Sequence, residues 1–225
     1  MAMEGSEKWG AVFDWDGVIV DSSRLHEEAW EALAAEERRP LPPGFFLRSF
    51  GMKNEQVIEQ LLGWTADPKE LERLSLRKEE LFRALVRERG ARLLPGARRL
   101  LEALAAAGIP RAVGSSTPRK NIEAVLAQTG LAGLFDATVC GDEVRRGKPA
   151  PDIFLEAARR LGLPPTRCVV IEDAHVGIEA ARTAGMPVLA VATTHPAEKL
   201  KDADLTARSL REVGVDALRA LALAS

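Results

Sequence analysis

Ala11-Val12-Phe13-Asp14-Trp15-Asp16-Gly17-Val18 decides the reading of this chain, because a short apolar run ends there on two carboxylates spaced one residue apart. The run reads as a buried strand, and in a parallel sheet the carboxyl ends of strands open onto the ligand crevice. Taken alone, Asp-x-Asp-Gly reads first as a polar turn that closes the strand, with Gly17 supplying the bend. A calcium loop is disfavoured, because its closing Glu is missing from Arg24, Leu25 and His26.

The same pattern recurs along the chain. Arg111-Ala112-Val113, Ala137-Thr138-Val139, Val169-Val170-Ile171 and Val188-Leu189-Ala190-Val191 are further short buried strands. Helical periodicity runs over Pro95 to Ala107, Lys120 to Gln128, Asp152 to Leu161 and Gly177 to Ala184. Strands alternating with helices predict an α/β, Rossmann-like parallel sheet covered on both faces. The interval from Ser22 to Leu94 breaks the rhythm, with candidate helices at Arg24 to Glu37, Asn54 to Leu62 and Pro68 to Arg89 and no convincing strand. The expected division is a core made of residues 1–21 and 95–225 with an inserted helical cap domain at 22–94.

Composition narrows the class of partner. A chain of 225 residues buries roughly 70% of its unfolded surface, so no disulfide or metal staple is required. Acidic and basic residues number 33 and 31, a balance that excludes a protein built to coat nucleic acid or an anionic membrane. Cys140 and Cys168 adjoin β-branched runs and read as buried thiols. The first eight residues hold no apolar signal core and no run reaches the length of a membrane span, so a cytoplasmic location is expected.

Three more strand ends carry chemistry. Val113-Gly114-Ser115-Ser116-Thr117-Pro118 places hydroxyls and backbone N–H groups at a helix start, which suits phosphate; the plainer reading is capping, with Thr117 as N-cap and Pro118 first in the helix. Gly141 to Pro149 superficially resembles a nucleotide P-loop, but five residues separate its glycines and Pro149 follows Lys148, so an NTPase is rejected. Lys148 instead sits on a Gly-Lys-Pro-x-Pro turn at the crevice, or is simply an exposed loop lysine. Val169-Val170-Ile171-Glu172-Asp173-Ala174 adds two carboxylates, of which Asp173 could merely cap a helix. Four carboxylates from two strands would repel one another unless a lysine or a divalent cation compensates them, and all-oxygen ligation favours Mg²⁺ over zinc. Together the four segments suit phosphoryl transfer.

On Phe13 to Ser22, Ser115-Ser116, Gly147 to Asp152 and Ile171 to Ala174, the chain resembles the haloacid dehalogenase superfamily, in its phosphatase and β-phosphoglucomutase-like branch with a helical cap. The resemblance implies a mobile cap and Mg²⁺. It implies Asp14 as nucleophile, Asp16 as acid/base with a raised pKa and a metal-binding carbonyl, and Ser115 with the N–H of Ser116 on phosphate oxygens. Lys148 would clamp charge, and Glu172 with Asp173 would complete the metal end. An acid/base Asp at position 16 argues against dehalogenation, since halide leaves without a proton.

In the cap, Lys78 interrupts the stripe Leu74, Leu81 and Leu85, so it either points inward or snorkels over it. His26 shares a face with Trp30 and Leu33 and reads first as a packing histidine, although mutase relatives carry a His and a Lys at these two places. The turn Ser49-Phe50-Gly51-Met52-Lys53-Asn54 resembles the cap's specificity loop, which makes Gly51 and Lys53 candidate substrate contacts. β-Phosphoglucomutases place basic residues where Phe50 and Asn54 stand, so a Mg²⁺-dependent phosphatase for a small, sugar-phosphate-like metabolite is favoured. A phosphomutase is the alternative, since Lys53 can compensate, and a phosphoryl-accepting receiver module is the rival from another class, disfavoured by the helical insert. The expected enzyme is a monomer or weak homodimer that binds neither nucleic acid nor membrane. Thr193-Thr194-His195-Pro196, after the last clear strand, either borders the crevice or, on the plainer account, forms a surface loop.

Overall fold

The structure is a computed structural model that describes residues 8–49 and 52–224. In chain order its elements begin with strand β1 (Gly10–Phe13), the two-residue strand β2 (Val20–Asp21) and helix α1 (Ser23–Glu37). Helices α2 (Phe45–Ser49), α3 (Asn54–Gln56, continued by a π turn over Val57–Leu61) and α4 (Pro68–Arg89) follow, then β3 (Arg92–Leu93) and α5 (Ala97–Ala106). The remainder is β4 (Arg111–Gly114), α6 (Arg119–Thr129), β5 (Ala137–Val139), α7 (Asp152–Leu161), β6 (Cys168–Glu172), α8 (His175–Thr183), β7 (Val188–Val191), β8 (Leu205–Ala207) and α9 (Val215–Leu223).

Six strands form one parallel sheet in the order β5-β4-β1-β6-β7-β8. The chain winds outward from β1 first through β4 and β5 and then, on the other side, through β6, β7 and β8, so the topology reverses at β1. Such a switch point is where an open α/β sheet leaves a crevice. Side-chain alternation divides the core in two. Ala11, Phe13, Val169 and Ile171 join one apolar cluster, while Val12, Cys168 and Val170 join the other, and this is why these strands read as unbroken apolar runs. With both faces covered, the sheet is the Rossmann-like arrangement expected.

Residues between β2 and β3 are helical apart from their connections, and they have an apolar centre of their own at Trp30, Leu33, Phe45, Val57, Ile58, Leu71 and Leu74. Helices α1 and α4 pack along each other, and Arg73 and Arg77 of α4 make two-pronged ion pairs with Glu37 and Glu36 of α1. These pairs are part-exposed, worth roughly 0.2–1 kcal/mol each, so the buried stripe rather than the pairs holds the helices together.

Several expectations need correction. The insert interval does hold a strand: Arg92–Leu93 pairs antiparallel with Val20–Asp21, closing the helical excursion at its neck. Strand β8 and helix α9 lie beyond the elements read from sequence. Helix α8 starts at His175, two residues before the expected Gly177. Among the described residues, no helix is long and apolar enough to cross a membrane.

Candidate active site

β1 ends at Phe13, and the N–H of Asp14 still donates to Ile171 O (2.9 Å), so the parallel pairing of β1 with β6 carries Asp14 to the rim beside Glu172. Lys148 reaches the same point from the loop after β5. Its Nζ is 2.8 Å from Asp14 Oδ1, 2.7 Å from Glu172 Oε1 and 4.8 Å from the centre of the Phe154 ring. The exposed-loop reading of Lys148 fails, since the residue is only 4% exposed. Burial works against its charge, but Asp14 and Glu172 outweigh burial and raise its pKa. Asp14 is pushed up to about 7, by burial first and then by Glu172, with Lys148 opposing.

Glu172 is fully engaged. Oε1 accepts from Lys148, and Oε2 accepts the N–H groups of Asp173 and Ala174, each at 2.7 Å. A methyl at Gly177 would stand 1.7 Å from Oε1, so only glycine leaves this carboxylate its place. Asp173, completely buried, accepts from Thr194 through Oδ2, while its Oδ1 has no hydrogen-bond partner. Burial, then Glu172 and Asp14, raise its pKa well above the carboxylate norm. Oxygens of Asp14, Glu172 and Asp173 lie within 4.8 Å of one another. Such a repelling trio with a bare oxygen fits a hard divalent cation. Gly17 completes the approach: its φ of +80° and the 1.9 Å separating a built Cβ from Asp173 Oδ2 both demand glycine.

Asp16 departs from expectation. Its Oδ1 accepts from Ser22 Oγ and from His26 Nε2 (3.3 Å), and Oδ2 accepts from Thr117 Oγ1. Burial alone would raise its pKa, but the His26 ring and these donors hold it down to about 2, so the expected rise is absent. Thr117 is therefore not the helix cap. Pro118 occupies the N-cap position and frees the Thr117 hydroxyl for Asp16.

Ser115 is 2% exposed, its N–H given to Val139 O and its Oγ accepting from the Thr117 N–H. Ser116 lines the cavity, and its Oγ is a buried hydroxyl without a hydrogen-bond partner. From the helical segment, Lys78 points inward and does not snorkel: it is 2% exposed, with Nζ 2.8 Å from His26 Nδ1 and 2.9 Å from Glu79 Oε1. His26 both packs, stacked on Phe82 at 4.0 Å, and touches Asp16, so the packing-only reading is incomplete. Lys53 donates to the carbonyls of Gly141 (3.0 Å) and Val144 (3.5 Å), which ties the loop before α3 to the core. Gly51 and Phe50 lie outside the described residues.

Asp14, Asp16, Ser115, Ser116, Lys148, Glu172, Asp173, His26, Lys53 and Lys78 all line one cavity of about 260 Å³. Sequence reasoning missed Glu79, whose carboxylate takes Asn54, Lys78 and Asn121, joining α4 to α6. Of the two readings of residues 193–196, the crevice border rather than the surface loop holds for the threonines, since Thr193 and Thr194 bond Gly17 O and Asp173. A run of two hydroxyls just past β7 was the available signal.

Comparison with known proteins agrees with this geometry. The haloacid dehalogenase-like hydrolase family matches residues 10–185. A chloroplastic 5-amino-6-(5-phospho-D-ribitylamino)uracil phosphatase of Arabidopsis thaliana is 39% identical over 216 residues, covering 95% of this chain, which spans 57% of that relative's length. The fructose-1-phosphate phosphatase of Escherichia coli strain K12 is 33% identical over 184 residues, covering 81% of this chain and 95% of that protein. The crystal structure of a β-phosphoglucomutase from Clostridium difficile superposes with a TM-score of 0.84 at 26% identity, covering 96% of this chain and 97% of that one.

Proposed function

Because this chain belongs to the haloacid dehalogenase-like hydrolases, we propose that it releases inorganic phosphate from a small phosphorylated metabolite by way of an aspartyl phosphate. The observation that carries the reading is the Lys148 ammonium held between Asp14 and Glu172, since it offsets the charge of a buried carboxylate exactly where phosphate, another anion, must approach. In this reading residues 22–94 form a cap over a core of 1–21 and 95–225.

Asp14 attacks phosphorus, forming the acyl phosphate while the bond to the alcohol oxygen breaks and that oxygen takes a proton from Asp16. Water then attacks the acyl phosphate, Asp16 recovers a proton from it, and Asp14 and inorganic phosphate separate. The donors from Ser22, His26 and Thr117 favour ionised Asp16, which suits the second half-reaction; the first requires the anionic phosphate to raise its proton affinity. Ser115, the N–H of Ser116 and the unpartnered Ser116 hydroxyl are placed to hold phosphate oxygens. Asp14, the free Oδ1 of Asp173 and the Asp16 carbonyl would hold Mg²⁺, with Glu172 steadying Asp173 and Lys148. Mg²⁺ would keep Asp14 ionised and offset phosphate charge.

Incubating the protein with Mg²⁺ and a panel of phosphorylated metabolites, scored for both phosphate and isomerised product, tests the reading. Catalytic phosphate release over many turnovers supports it. The likeness to a β-phosphoglucomutase favours a second reading as a phosphomutase, and glucose 1-phosphate converted to the 6-phosphate without phosphate release would put that reading in its place.

A further inference from the structure

Away from the carboxylate trio, the cavity continues beneath the cap to a wall of Trp30, Phe46, Met52 and Val57. Trp30 and Val57 are 3% and 1% exposed and anchored in the cap's own apolar centre, so the wall is a fixed surface. The ammonium groups on this side are already committed. Lys78 is bonded to His26 and Glu79 and lies over the Trp30 and Phe82 rings, while Lys53 is bonded to the Gly141 and Val144 carbonyls. Among the described residues no arginine lines the cavity, and Glu55 and Asp142 are the remaining charged groups there.

A second phosphate at this end would therefore meet apolar rings and two carboxylates, and would have to draw the Lys53 and Lys78 ammonium groups from the protein acceptors they already hold. A flat or apolar-faced alcohol would instead be buried against Phe46 and Met52 and gain from it. We infer that the cavity selects monophosphate esters whose alcohol is uncharged and presents an apolar face, and rejects esters that carry a second phosphate. This rests on the reading of the carboxylate end as the seat of one phosphate.

Binding decides it independently of turnover. Asp14→Asn protein with Mg²⁺ is titrated calorimetrically with fructose 6-phosphate, fructose 1,6-bisphosphate and uridine 5′-phosphate, the last offering a pyrimidine face. The expected order is uridine 5′-phosphate tightest, fructose 6-phosphate next, and the bisphosphate weaker than the monophosphate by about tenfold or more. Phe46→Ala should narrow the advantage of the uridine ester. Glu55→Lys, an exposed substitution, should raise bisphosphate affinity relative to fructose 6-phosphate by about threefold or more. Bisphosphate binding as tight as the monophosphate, or no binding of either monophosphate, overturns the inference. Failure of the wild-type protein to release phosphate from every member of the metabolite panel defeats the phosphatase reading instead, and the affinity order still decides this one.

Discussion

Lys78 and His26 meet nitrogen to nitrogen at 2.8 Å, from helices α4 and α1. An ammonium has only donors, so Nδ1 of the ring accepts and Nε2, facing Asp16 Oδ1 at 3.3 Å, carries the ring hydrogen. A lysine of α4 thereby fixes the tautomer that touches a carboxylate just past β1.

Lys78→Met should consequently lower kcat by about 10-fold to 100-fold, with a smaller change in KM, because the hydrogen on the ring loses its fixed side. Steady-state kinetics on one monoester checks this, and an unchanged kcat would show that the ring is oriented by Phe82 alone.

Asp14→Asn should reduce turnover by about 10⁴-fold or more while the protein still folds, since Lys148 retains Glu172 as its partner. Rapid acid quench of the wild-type enzyme with a ³²P-labelled ester should trap label on protein, and Asp14→Asn should trap none.

Excess chelator should abolish activity and Mg²⁺ should restore it. Asp173→Asn removes charge at a trio residue whose buried Oδ1 has no hydrogen-bond partner, and should raise the Mg²⁺ concentration for half-maximal activity by about 10-fold or more. Full activity of the chelated protein would remove the metal from the scheme.

Glu79 links stability to pH. Burial pushes its carboxyl up, but the Lys78 charge and the hydrogen bonds from Asn54 and Lys78 hold it below its ordinary 4.5. A folded pKa below the unfolded one gives stabilisation that is complete above the unfolded value and disappears as pH falls through the folded one. Wild type should exceed Glu79→Gln in stability by about 1–3 kcal/mol at neutral pH, and the gap should close progressively below pH 4.5. Denaturant titrations across that range measure it; a gap that widens on acidification would reverse the sign.

Gly17→Ala should destabilise the fold by about 1–3 kcal/mol and depress activity, because it combines a positive φ with a collision against Asp173 Oδ2. Thermal unfolding and a kinetic assay on the same preparation test the two effects together.

Legibility in the sequence followed the strength of local patterns. Asp152–Leu161 and Pro68–Arg89 were readable to the residue because a Pro or Asp opens each and a glycine follows each. The two-residue strands at Val20 and Arg92 have no period to detect, and Leu205 is an exposed residue on the outermost strand, so β8 lacks the apolar run that marks its neighbours. At the site, carboxylates and Lys148 stood out because their types are costly to bury and needed one another. Thr117 and Thr194 did not, because an isolated hydroxyl in a loop acquires meaning only when the fold brings Asp16 or Asp173 to it. Glu79 and Asn121 lie on helices far apart in sequence, where each reads as an ordinary surface residue. The lowered pKa of Asp16 depends on three donors converging from separate segments.

Phe13 stands opposite Ile171 in the central strand pair, and the carboxylates of the candidate site begin one step farther along each strand. Slippage by a single position would turn the apolar faces of β1 inside out, and slippage by two would draw Asp14 and Asp173 apart by about 6.5 Å. Enzymatic competence thus requires correct alignment: in a refolding time course, turnover cannot return before the first strand has found its correct neighbour.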